Sequence, residues 1–134
     1  MIVLDTDIMI DLLRKYQPAI AWLNSLDNEE IVLPGFVIME LIQGCRNKAE
    51  QEQVERELRS YNVAWPSSET CAEALSVFAS YHLSHGLGII DALIGQMAVA
   101  LNSPLCTFNQ KHYGAIPDLE TVQPYEKIAQ GRAS

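Results

Sequence analysis

Apolar residues fall along this chain in two alternating rhythms. Ile2-Val3-Leu4 and Ile31-Val32-Leu33 are short unbroken runs, the signature of strands buried on both faces. Directly after the first run the apolar positions become Ile8, Met9, Leu12 and Leu13, the spacing of a helix with one packed stripe. A second helix is expected from Pro18 to Leu26, opened by a proline whose missing N–H costs nothing in the first turn. Pro34-Gly35 stops the second strand, and a helix follows from about Phe36 to Gln43 with Gly44 as its C-cap glycine.

The middle of the chain is more polar. Lys48 to Ser60 reads as a solvated helix, with Glu52/Arg56 and Glu55/Arg59 at the spacing that favours weak surface pairs. Val63-Ala64-Trp65 fits a third short strand. Ser67 and Ser68 are suited to cap a helix running to about His82, with Ala72, Leu75, Phe78 and Ala79 on one side. Gly86-Leu87-Gly88 breaks that helix, and Asp91 is expected to open the next, ending near Asn102. Leu105 to Phe108 is a strand and Thr121-Val122 a last one. Strands alternating with helices specify an α/β domain, a mainly parallel central sheet flanked by helices on both faces. Functional groups in such a sheet gather beyond the carboxyl ends of the strands, where Asp5 and Asn109 lie.

Composition narrows the function. With 134 residues, 49% of them hydrophobic, the chain is expected to be one domain spanning 1–134, with 125–134 as a tail. The longest apolar run, Ala92 to Leu101, is broken by Gln96 and falls short of the roughly 20 residues a bilayer demands. Met1-Ile2-Val3-Leu4-Asp5 lacks the basic start of a signal peptide. Cys45, Cys71 and Cys106 form neither a CxxC pair nor a disulfide framework, so a reducing cytoplasm is expected. The net charge of -8 argues against a domain that grips nucleic acid by its phosphates alone. It is compatible with a site that concentrates acids around divalent cations, or with docking a basic partner.

Four carboxylates interrupt apolar or helical surroundings: Asp5, Asp7, Glu40 and Asp91. Asp5 ends the first strand, Glu40 has only hydrophobic near neighbours, and Asp91 stands between Ile89-Ile90 and Ala92-Leu93-Ile94. A buried carboxylate is costly and is normally paired, hydrogen-bonded or metal-bound. Hard oxygen donors without paired His or Cys favour Mg²⁺ or Mn²⁺ over zinc. Plainer roles stand beside this one: Thr6 or Asp7 capping the first helix, Asp91 capping a later one, Glu40 partnering an arginine.

The segments Asp5-Thr6-Asp7-Ile8-Met9-Ile10-Asp11-Leu12-Leu13, Val37-Ile38-Met39-Glu40-Leu41, Asp91-Ala92-Leu93-Ile94-Gly95-Gln96-Met97-Ala98 and Thr107-Phe108-Asn109-Gln110-Lys111-His112-Tyr113 follow one another across nearly the whole chain. In that order they resemble the PIN-domain family, and within it the VapC-type toxins of prokaryotic toxin–antitoxin pairs. The resemblance implies a parallel-sheet fold whose acids converge at one end. Asp5, Glu40 and Asp91 match the family's acidic positions and are implied as metal-site residues, Asp5 and Asp91 as direct ligands, Glu40 through a second ion or a water. The fourth position, often Asp, is Asn109 here, whose amide orients water but adds no charge and so weakens a second ion site. His112 stands at another position that is often acidic, as a local hydrogen-bonding residue, a substrate contact or a general acid. Asp7 matches a position that varies among Asn, Ser and Asp.

The same resemblance implies Mg²⁺- or Mn²⁺-dependent cleavage of RNA phosphodiesters in transfer or ribosomal RNA, toxicity by stopping translation, homodimerisation, and neutralisation by a small antitoxin protein. An antitoxin that inserts a basic residue into the carboxylate cluster suits the acidity of the chain. Attack by water in line predicts 5′-phosphate and 3′-hydroxyl ends.

Two other classes fit parts of the pattern. Asp5-Thr6-Asp7 after a strand resembles phosphohydrolases that form an aspartyl-phosphate, but Lys111 lacks the acidic pair that should follow it. A receiver-like phosphoacceptor would need an acid at the end of a later strand, where Val32-Leu33-Pro34 has none; a degenerate PIN module that only binds a partner is the better non-enzymatic alternative. Arg14, Lys15, Arg46, Lys48 and Lys111 are the cations available to steer RNA, or are plain surface charge.

Overall fold

The computed structural model describes residues 1–127. In chain order the elements are β1 (Ile2–Leu4), α1 (Thr6–Leu13), α2 (Gln17–Ser25), β2 (Ile31–Pro34), α3 (Gly35–Gln43), α4 (Lys48–Leu58), β3 (Asn62–Ala64), α5 (Ser68–His85), α6 (Ile89–Ala100), β4 (Leu105–Cys106), α7 (Gln110–Tyr113) and β5 (Thr121–Val122). All strand pairings are parallel, in the order β3-β2-β1-β4-β5. The α/β architecture and parallel sheet expected from the sequence are therefore present. Val3 and Leu4 point to opposite faces of β1 and both are fully buried, so helices cover the central strand on both sides. Each such side chain contributes about 1.5–3 kcal/mol on removal from water.

The strand order positions the site. From β1 the chain moves outward through β2 to β3, then α5 and α6 carry it back across to β4 on the other side of β1. The crevice between the carboxyl ends of β1 and β4 is thus the point where the winding reverses, the place where parallel sheets bind ligands.

Several local expectations are corrected. Trp65 is not part of β3; its ring folds back over Gly35, where any Cβ would collide with it, and meets Phe36 edge-on at 5.5 Å. Gly44 caps α3 at φ -77 without using glycine's left-handed freedom, whereas Gly86, at φ 68, ends α5 with it. That helix reaches His85, and its packed side is Thr70, Ala74 and Phe78; Leu75 is 68% exposed and Ala72 and Ala79 face outward. The apolar spacing there described an outer stripe. On α4 the pairs formed differ from those expected: Glu50 meets Arg46 of the preceding loop at 3.2 Å, Glu57 meets Lys15 at 3.5 Å, and Arg56 donates to Gln53. Gly88, not Asp91, is the N-cap of α6, and Asp91 sits in its first turn. The β4 strand stops at Cys106, and a short α7 follows.

Residues 125–127, assigned to the tail, are anchored: the Tyr125 hydroxyl donates to Asp11 at 2.7 Å, and Lys127 pairs with Asp11 at 3.3 Å. The remainder of the expected tail lies outside the described residues. Among the described residues, no helix is long and apolar enough to cross a membrane.

Candidate active site

The site begins where β1 turns into α1. Asp5 is the N-cap of α1, and its Oδ1 accepts the Thr6 backbone N–H at 2.8 Å. Because β1 and β4 pair in register at Leu4 and Cys106, the next residue along each strand, Asp5 and Thr107, lie side by side. The Thr107 hydroxyl donates to Asp5 Oδ2 at 2.8 Å and accepts the Asn109 backbone N–H at 2.9 Å. Asp7, in the first turn of α1, receives the backbone N–H of Phe108 at 2.9 Å and of Ile8 at 2.8 Å. The β1 and β4 ends are thus stitched by side-chain hydrogen bonds in addition to the backbone bond from the Asp5 amide to the Cys106 carbonyl at 3.0 Å.

Two more acids come from helices. Glu40, on α3, accepts a hydrogen bond from the Thr6 hydroxyl through Oε1. Asp91, on α6, accepts from the hydroxyl of Tyr113 at 3.3 Å, and Tyr113 is 1% exposed. Asp5 is therefore the hub, joined to Asp7 through Thr107, to Glu40 through Thr6, and facing Asp91 across Tyr113.

Burial makes this hub reluctant to ionise. Asp5 is 7% exposed, and loss of water raises its pKa to about 7, with the neighbouring charges of Asp7 and Asp91 adding to the shift. The Thr107 and Thr6 donors oppose that rise without cancelling it. Asp7 is also raised by burial, against the pull of the Phe108 and Ile8 amides and of Lys127. Burial, then the charges of Asp5 and Asp91, push Tyr113 up, so its phenol stays protonated.

Asp5, Asp7, Glu40 and Asp91 are thus brought to one end of the sheet, as expected. Asn109 lies beside them beyond the end of β4, and its amide nitrogen is 3.1 Å from His112 Nδ1. His112 is exposed and has that local contact. Among the described residues, no three His, Cys, Asp or Glu side chains converge closely enough to hold an ion as they stand. The cations expected near RNA are exposed, and Lys15 and Arg46 are engaged with Glu57 and Glu50. Beside Glu40, a cleft of about 690 Å³ opens between α1, α3 and α4, lined by Ile10, Leu13, Arg14, Leu41 and Arg46 among others.

Residues 2–115 match the PIN-domain model. The chain belongs to the PIN-domain family. Within it, the chain is 34% identical over 122 residues to ribonuclease VapC19 of Mycobacterium tuberculosis, covering 87% of this chain and 95% of that one. It superposes with a TM-score of 0.73 and 30% identity on VapBC-1 from nontypeable Haemophilus influenzae, covering 91% of this chain and 97% of that one. A toxin–antitoxin complex from Klebsiella pneumoniae shares the fold, with a TM-score of 0.76, 23% identity and coverage of 95% and 100%.

The PIN-domain match contains every acid of the cluster and also Thr6, Thr107 and Tyr113, which hold those acids in place. Thr107 and Tyr113 are site residues to which the sequence alone gives no role. For Thr107 a signal existed: it follows β4 as Asp5 follows β1. For Tyr113 there was none, because an aromatic on a short helix reads as core.

Proposed function

We propose that this PIN-domain chain is a metal-dependent endoribonuclease and the toxin of a toxin–antitoxin pair. The observation that carries the reading is the buried Asp5 carboxylate, raised to about 7 and facing two further acids at a strand switch point. Ionising such a buried cluster costs desolvation and mutual repulsion that its hydrogen bonds do not offset, and a cation relieves both. The donor set fits Mg²⁺ or Mn²⁺: Asp5, Asp91 and Glu40 offer only hard oxygens, and Cys106 and His112 are turned to other partners or buried in the strand. When bound, the ion supplies the Lewis acidity that activates water and offsets charge on a phosphoryl group.

The chain's own residues do the rest. Asp5 and Asp91 are the proposed ligands, with Glu40 oriented by Thr6. Thr107 fixes the rotamer of Asp5 and, by accepting the Asn109 N–H, ties the start of α7 to the same point. Asn109 serves by turning its amide oxygen toward a water, with His112 holding the amide nitrogen. RNA is the proposed substrate, supported by the likeness to ribonuclease VapC19, and transfer or ribosomal RNA is the class that the family resemblance implies.

The proposed partner is a small antitoxin. Its docking place is the cleft beside Glu40, where apolar Ile10, Leu13 and Leu41 meet an acid that a basic side chain can pair. A homodimer has a candidate surface in the exposed Leu75, Leu83 and Ile89 of α5 and α6. The cytoplasm is the proposed compartment, consistent with three free cysteines.

The deciding experiment is to express the chain under control, sequence the ends of cleaved RNAs, and repeat the cleavage in vitro with a chelator and with Asp5→Ala. Chelator-sensitive cuts bearing 5′-phosphate and 3′-hydroxyl ends, lost in Asp5→Ala, are expected. Cyclic 2′,3′-phosphate ends, or cleavage that survives both controls, would overturn the mechanism.

A further inference from the structure

We infer that Tyr113 is a positioning residue of this site, its buried hydroxyl fixing how Asp91 and Asp5 present their carboxylates to a metal ion. The inference rests on the metal-dependent reading above. Tyr113 closes α7 and is almost wholly buried, yet its hydroxyl does not reach water; it donates to Asp91 Oδ1 at 3.3 Å. A phenylalanine would fill nearly the same space, so packing alone does not require the oxygen. A buried phenol instead finds a polar partner inside, and here the partners are acids of the cluster.

The ring packs against α6 beside Gly95. Asp91 and Gly95 are one turn apart on the same face of α6. A Cβ on Gly95 would be in ordinary contact with Tyr113 Cδ1, at 3.4 Å, but would collide with Ile116 Cδ1, so the bare backbone leaves room for Ile116 beside the tyrosine, one turn from Asp91. On the other side, Asp91 Oδ2 would lie 3.3 Å from a Cβ on Gly88. The Asp91 carboxylate thus lies with one oxygen toward its own N-cap and the other on the Tyr113 hydroxyl. Without that hydroxyl, its carboxylate is free to rotate away from Asp5, as repulsion between the two charges favours. Tyr113 is too buried to touch RNA, so it acts through the two acids.

The full chain tests this as wild type, Tyr113→Phe, Asp91→Asn and the double variant. Mn²⁺ affinity is read by calorimetry, and kcat and KM on a fluorogenic RNA. Loss of a group orienting a metal ligand typically weakens binding by 10- to 100-fold, and for this long bond we expect about tenfold for Tyr113→Phe. The kcat should fall while KM for RNA stays within about twofold, because the residue acts behind the ligands. In the Asp91→Asn background, Tyr113→Phe should add little. Wild-type Mn²⁺ affinity and kcat in Tyr113→Phe would overturn the inference, as would a fully additive loss in the double variant. A wild-type chain that binds no Mn²⁺ overturns the metal-dependent reading itself, and this inference with it. If Tyr113→Phe does not fold, 3-fluorotyrosine at position 113 replaces it, a stronger donor of nearly the same size. Its Mn²⁺ affinity at fixed pH should then differ from that of the wild type, and an unchanged affinity sinks the inference.

Discussion

Thr107 and Asp5 stand 102 positions apart in the chain, and the hydroxyl of one donates to the carboxylate of the other at 2.8 Å. That bond joins the ends of two adjacent strands and sets the rotamer of the most buried acid in the site. Thr107→Val keeps the shape and deletes the hydroxyl, leaving Asp5 Oδ2 and the Asn109 amide without their partner. A cost of about 1–3 kcal/mol is expected, along with weaker Mn²⁺ binding. Denaturant unfolding with and without Mn²⁺ measures both; unchanged values would show that the bond orients nothing.

The pH dependence of metal-free stability should have an unusual sign. Asp5 releases its proton near 3.8 when unfolded but near 7 when folded. Between these values the folded state holds more protons, so stability is highest at the acid end and falls as pH rises toward 7, by up to about 4 kcal/mol from this group alone. Thermal unfolding in chelator from pH 4.5 to 8 would record the slope. Excess Mn²⁺ should abolish or reverse it, since the ion binds the ionised form. A metal-free stability that rises across this window would mean that Asp5 is not the group described.

Asp5→Asn follows from the same imbalance. Removing a buried, repelled charge should raise the metal-free Tm at pH 8 by several degrees while abolishing RNA cleavage. A lower Tm would imply that the carboxylate stabilises the fold, against the burial argument.

Gly95→Ala places a methyl group where Ile116 and Tyr113 now pack. Overpacking of this kind costs about 1–3 kcal/mol. The expected signature is a drop in Tm together with a smaller drop in Mn²⁺ affinity, as the displaced Ile116 shifts against the neighbouring Tyr113. Loss of stability with full Mn²⁺ affinity would separate the packing from the site.

The parallel sheet and the place of the acids were legible because they depend on short-range pattern. Ile2-Val3-Leu4 and Ile31-Val32-Leu33 are apolar on every position, which only a strand covered on both faces tolerates. Asp5 and Asp91 stood out because carboxylates are rare among such neighbours. The face of α5 was misread because Leu75 is apolar yet exposed, and spacing cannot tell an outer stripe from an inner one. Trp65 looked like a strand residue by type, and only its contact with the bare backbone of Gly35 draws it away. The direction of the Asn109 amide depends on His112 and on no pattern at all. Thr107 and Tyr113 escaped notice for a similar reason: their importance comes from partners far along the chain, at Asp5 and Asp91.

β1 lies at the centre of the sheet, and the amide of Asp5 itself donates to the Cys106 carbonyl at 3.0 Å. Hydrogen exchange at that amide should therefore be among the slowest in the protein, requiring global opening rather than local breathing. The edge strands β3 and β5 can fray without disturbing it. On the reading proposed above, loosening a loop leaves this strand end in place, and a partner that silences the chain would do so by covering the site.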